Sequence, residues 1–152
     1  MIVVDASVVV KLLVTEDGSD RIRELVASSP LVAPELVIVE VANVMWHKAQ
    51  RGALTPEHAT RAIGGLANVF KQLYPDASLV TAALDIALML NHPIYDALYL
   101  ALARNLGVPL VTADRRLVAA CAGTVFEPLV RPLIPLPPAP APAPPARKRR
   151  QR

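Results

Sequence analysis

Asp5, Glu40, Asp96 and Asp114 stand at comparable points along the 152-residue chain. Asp5 follows the β-branched run of residues 2–4, and Asp114 follows the apolar run 108–112. Glu40 lies early in a helical stretch after a second apolar run, and Asp96 lies in the first turn of a helix opened by Pro93. In open α/β sheets, ligands bind beyond the carboxyl ends of the strands, where residues far apart in sequence converge. Four carboxylates gathered there would repel one another unless a cation neutralised them. Donors that are all oxygen select a hard ion, magnesium or manganese, over zinc.

Glu40 is the most telling of the four. It interrupts LVIVEVANVMW, in which every nearby residue except Asn43 is apolar. On a helix, Glu40, Asn43 and His47 fall at i, i+3 and i+7 and form one polar stripe. A carboxylate set against apolar neighbours must be paired, protonated or bound to metal. Ordinary structural roles stay open for all of these residues. Asp5 and Asp114 could be helix N-caps, Asp96 could favour the positive end of its helix, and the stripe could be a hydrated core contact. The three histidines read as isolated: His47 as structural, His58 as a surface residue and His92 as a turn residue before Pro93. Cys121 reads as a small buried hydrophobe.

Positioning these acids requires strands that alternate with helices. The pattern predicts strands over 2–4, 31–33 and 108–112, with a possible edge strand over 124–126. It predicts helices over 7–14, 18–28, 35–50, 55–73, 76–90 and 94–105, and another that begins at Asp114. Thr55-Pro56-Glu57 carries a hydroxyl cap followed by proline at the first helical position. Asp76 is placed to cap the helix that runs to Leu90. The expected fold is a three-layer α/β/α domain on a short parallel sheet.

Composition agrees with that fold. Hydrophobic residues make up 53% of the chain and aromatic ones only 4%, so the core must be built from Val, Leu, Ile and Ala. Such a core suits helices packed on a buried parallel sheet. No apolar run of transmembrane length escapes a charge, and the opening lacks a secretion signal. One cysteine excludes an internal disulfide, and the expectation is a cytoplasmic protein with no membrane association. The net charge of +3 belongs to the end of the chain. RKRRQR at 147–152 carries five of the 16 basic residues, which leaves 11 basic against 13 acidic elsewhere. Residues 132–145 hold eight prolines in fourteen positions. The expected organisation is a domain over 1–131 and a Pro-rich, basic, disordered tail over 132–152.

VVDASVVVKLL, APELVIVEVANVM, HPIYDALYLALA and VPLVTADRRL resemble, in order and spacing, the four blocks of PIN-domain toxins of the VapC kind. The resemblance spans residues 1–128. It implies a ribonuclease that uses magnesium or manganese, acts on RNA, forms a homodimer and is restrained by a cognate antitoxin. Carried over by position, Asp5, Glu40, Asp96 and Asp114 match the acidic set, with Asp5 and Asp96 as the firmest metal ligands. Ser7, Asn43 and Thr112 match the polar positions that support it. The tail departs from the pattern. Three rivals remain: a processing nuclease that is not a toxin, a non-catalytic RNA-binding protein on the same fold, and an aspartyl phosphatase. The phosphatase would want a second Asp where this chain has Ser7.

Overall fold

The computed structural model describes residues 1–14 and 19–133. Five short strands form one parallel sheet: β1 (Ile2–Val4), β2 (Leu31–Pro34), β3 (Gln72–Tyr74), β4 (Leu110–Thr112) and β5 (Val130–Pro132). Their order is β3-β2-β1-β4-β5. β1 is central, with Val3 opposite both Val32 of β2 and Leu110 of β4. Parallel neighbours need crossover connections, and here helices supply them. The helices are α1 (Ala6–Leu13), α2 (Ser19–Ser28), α3 (Leu36–Gln50), α4 (Pro56–Gly64), α5 (Val80–Leu90), α6 (Ile94–Leu106) and α7 (Arg115–Cys121).

β1, β2 and β4 are buried throughout, as strands covered on both faces must be. Against them lies α6, in which every residue from Ala97 to Ala103 is buried. A helix that is apolar on all sides belongs inside a fold, and α6 contacts β1, β2, β4 and α5. Gly107 ends it at φ +64, a left-handed conformation that most side chains resist. Cys121 is buried in α7, as its apolar surroundings predict. Among the described residues, no single helix is long and apolar enough to cross a membrane.

Several expectations are corrected. The helix expected over 55–73 ends at Gly64. A short 3-10 turn follows at Leu66–Val69, and then comes the edge strand β3. Partly apolar residues 71–74 carry no period strong enough to oppose the preceding helical pattern, whereas pairing with β2 decides their conformation. The edge strand expected over 124–126 lies instead at Val130–Pro132, paired with β4. Asp76 does not cap α5. Its Oδ1 accepts from the Leu36 amide at 3.1 Å and so satisfies the first turn of α3 across the sheet edge.

The folded chain continues through Pro132, opposite Thr112, and through Leu133, which is 2% exposed. The remainder of the tail expected over 132–152 lies outside the described residues.

Candidate active site

Asp5 leaves β1 in extended geometry and caps α1, its Oδ1 accepting from the Val8 amide at 3.1 Å. The same oxygen accepts from the Ser7 hydroxyl at 2.6 Å, and Oδ2 accepts from Thr112 Oγ1 at 2.5 Å. Thr112 Oγ1 in turn accepts from the Asp114 amide, and Ser7 Oγ accepts from the Ala113 amide. Two small hydroxyls therefore tie the end of β4 to the end of β1, with the Asp5 carboxyl between them. Asp114 repeats the capping device on α7, where its Oδ1 accepts from the Arg116 amide at 2.7 Å. Capping and convergence are thus compatible roles for both aspartates.

Glu40 sits in the second turn of α3, and its Oε2 accepts from the Tyr99 hydroxyl at 2.5 Å. Asp96 enters from the first turn of α6. All four acids line one cleft of about 300 Å³, together with Ser7, Asn43 and Tyr99. Thr112 lies beneath it, fully buried, and reaches it only through Asp5 and the Asp114 amide. Among the described residues, no Lys or Arg lines this cleft. His47, at the far end of the predicted stripe, is not among its walls.

The electrostatics follow from burial and like charge. Burial pushes the Asp5 carboxyl up to about 6, opposed by the hydrogen bonds from Ser7, Thr112 and Val8 and reinforced by Asp96. Glu40 is also raised by burial; the Tyr99 hydrogen bond pulls the other way, and Asp96 and Asp76 add to the rise. Asp96 is raised by burial and by Asp114, with His92 opposing.

His92 and Tyr99 are the neighbours that sequence reasoning missed. His92 is not isolated: its Nε2 stands 2.8 Å from Asp96 Oδ2. That contact is close but not aligned as a hydrogen bond, because Nε2 is buried without a hydrogen-bond partner. Tyr99, 1% exposed, follows Asp96 by three positions on α6, and His92 precedes it by four. Helical spacing around Asp96 was the available signal for Tyr99. The turn before α6 hid the same signal for His92.

The donor set suits a hard cation: four carboxylates and no thiol, with Glu40 Oε1 and Asp114 Oδ2 outside any hydrogen bond among the described residues. Among the described residues, no three His, Cys, Asp or Glu side chains stand ready in a ligating arrangement. Both oxygens of Asp5 and one each of Glu40 and Asp114 accept from protein donors.

The PIN-domain family profile matches residues 2–122. Ribonuclease VapC3 of Pyrobaculum aerophilum is 36% identical over 119 residues, covering 76% of this chain and 91% of the relative. Ribonuclease VapC1 of Mycobacterium tuberculosis is 35% identical over 121 residues, covering 78% and 89%. The solved structure of VapC20 from Mycobacterium tuberculosis, a sarcin-ricin-loop-cleaving toxin, superposes with a TM-score of 0.61 at 20% identity, over 83% of this chain and 98% of that one.

Proposed function

This chain belongs to the PIN-domain family, and on that footing we propose that it is a divalent-metal-dependent endoribonuclease, the toxin of a toxin–antitoxin pair. The observation that carries the reading is the convergence of four carboxylates from four separate elements on one cleft, with no basic side chain in its wall among the described residues. The ribonuclease names of its VapC relatives support RNA as the substrate. A cleft of this charge repels a phosphodiester, and buried carboxylates held above their usual range favour the arrival of positive charge.

Asp5, Glu40, Asp96 and Asp114 would hold magnesium or manganese. When bound, the cation would neutralise the acids, offset the phosphate charge and lower the pKa of a water molecule. Asp5, held by Ser7 and Thr112, would supply a carboxylate whose position is fixed by hydrogen bonds to both its oxygens. Glu40 through Oε1, or Asp114 through Oδ2, would orient the attacking water and accept its proton. The water oxygen would bond to phosphorus as the opposite P–O ester bond breaks, its electron pair staying on the leaving ribose oxygen, which would take up a proton from solvent. Asn43, one turn beyond Glu40 at the mouth of the cleft, is placed to donate to a phosphate or ribose oxygen.

Partner surfaces support an assembly. Neither α2 nor α4 exposes a large hydrophobic residue. The unpartnered apolar side chains lie elsewhere. Val80, Leu84 and Leu88 form an i, i+4, i+8 stripe on α5, and Trp46 edges a groove of about 550 Å³ between α3 and α4. A second copy against α5 and an antitoxin segment in the groove are the occupants this reading assigns. A cytoplasmic setting, where RNA is met and Cys121 stays reduced, completes it.

Total RNA incubated with purified protein, with and without Mn²⁺, tests the enzyme, and end-mapping locates its cuts. Cleavage unaffected by chelation, or absent at every metal concentration, would overturn the metal-dependent reading. Growth arrest on induction, relieved by a co-expressed neighbouring gene product, tests the toxin assignment. RNA cleavage without arrest would make the protein a processing nuclease.

A further inference from the structure

We propose that Tyr99 is a positioning residue for Glu40, its hydroxyl fixing one carboxylate oxygen so that the other is presented for use. The inference rests on the metal-cleft reading above. Its starting point is a polar atom where packing asks for none. Residues Ala97 to Ala103 form the buried stretch of α6, and Tyr99 is 1% exposed within it. A phenylalanine would fill the same volume with no polar atom to satisfy, and a buried hydroxyl without a partner is costly. The hydroxyl is instead spent on one acceptor, Glu40 Oε2, at 2.5 Å.

The bond spans 59 positions of sequence and joins α6 to α3. Ala6, the first residue of α1 and next after Asp5, lines the same cleft as Tyr99 and Glu40. Tyr99 thus ties the helix that carries Glu40 to the helix that carries Asp96, which lies a turn before it on α6. Without the bond, no hydrogen bond among the described residues would hold the Glu40 carboxyl. With it, Oε2 is occupied and Oε1 has no hydrogen bond among the described residues. Ser7 and Thr112 hold Asp5 by both its oxygens, whereas Tyr99 holds Glu40 by one, through a ring buried in the core.

The position-by-position test is Tyr99→Phe in the full chain, which keeps the ring and removes only the hydroxyl. Mn²⁺ is the probe, and its affinity is measured calorimetrically for wild type, Tyr99→Phe, Glu40→Gln and the double variant. Positioning predicts that Tyr99→Phe weakens Mn²⁺ binding roughly tenfold, the effect of losing a hydrogen bond to a charged group. In the Glu40→Gln background the same change should have almost no further effect. Unfolding in chelator should show Tyr99→Phe as stably folded, with its stability effect also coupled to Glu40. Unchanged or tighter Mn²⁺ binding by Tyr99→Phe would overturn the proposal, and so would an equal loss in both backgrounds. A wild-type protein that takes up no Mn²⁺ would overturn the cleft reading itself, and the role of Tyr99 with it.

Discussion

Asp5→Asn removes the most buried charge of the cleft, and its effect on stability can be worked from the structure. The Asp5 carboxyl is raised from 3.8 to about 6 in the folded chain and is 6% exposed. A raised acid contributes stability that is complete below the unfolded value and is lost as pH climbs through the folded one. Two units correspond to about 3 kcal/mol at about 1.36 kcal/mol per unit. Metal-free wild type should therefore lose about 2–3 kcal/mol from this group between pH 4 and pH 7.5. Asparagine resembles the protonated acid and carries no such dependence. In chelator the variant should gain on wild type by about 2–3 kcal/mol over that interval, a shift on the order of 10 °C in Tm for a domain this size. Denaturant unfolding at both pH values measures it. Saturating Mn²⁺ should reverse the order, stabilising wild type far more than the variant. A stability difference that does not change with pH would refute the electrostatic reasoning. A metal-free variant that falls behind wild type at pH 7.5 relative to pH 4 would refute it more strongly, because the hydrogen bonds from Ser7 and Thr112 would then outweigh desolvation.

Asp5→Asn and Asp96→Asn should each abolish Mn²⁺-dependent RNA cleavage, whereas Asp85→Asn, on the exposed face of α5, should cleave at the wild-type rate in the same assay. Thr112→Val should cost about 1–3 kcal/mol in chemical denaturation, because it strips a partner from both the buried Asp5 carboxyl and the Asp114 amide. Leu88→Glu, at a position 73% exposed on α5, should convert a dimer to monomer in sedimentation at micromolar concentration while leaving the Tm within a few degrees. Residues 134–152, with their five terminal cations, follow Leu133 in sequence, and the Leu133 amide donates to the Thr112 carbonyl at 2.7 Å. Deleting them should weaken RNA binding and lower its salt slope by at most about five counterions' worth, with the cleavage position unchanged. Equal slopes for the two proteins would show that the five terminal cations take no part.

The strand-then-acid pattern at Asp5 and Asp114 and the polar stripe beginning at Glu40 were legible because they depend on short-range geometry. A strand end, a helix cap and a helical period all lie within a few residues of one another. They identified four acids and the kind of sheet that could gather them. The sequence alone also contained Tyr99 and His92 at helical distances from Asp96, but nothing local distinguished a tyrosine aimed at Glu40 from one that merely fills the core. That distinction depends on a partner 59 positions away. The same holds for β3 and β5, which are strands because β2 and β4 offer unpaired backbone edges, and for Asp76, whose carboxyl finds its amide across the sheet at Leu36. Local chemistry chose which residues could act. The packing of α3 and α6 over the carboxyl ends of β1 and β4 decided which of them meet, because only there are burial and like charge imposed on the same carboxylates.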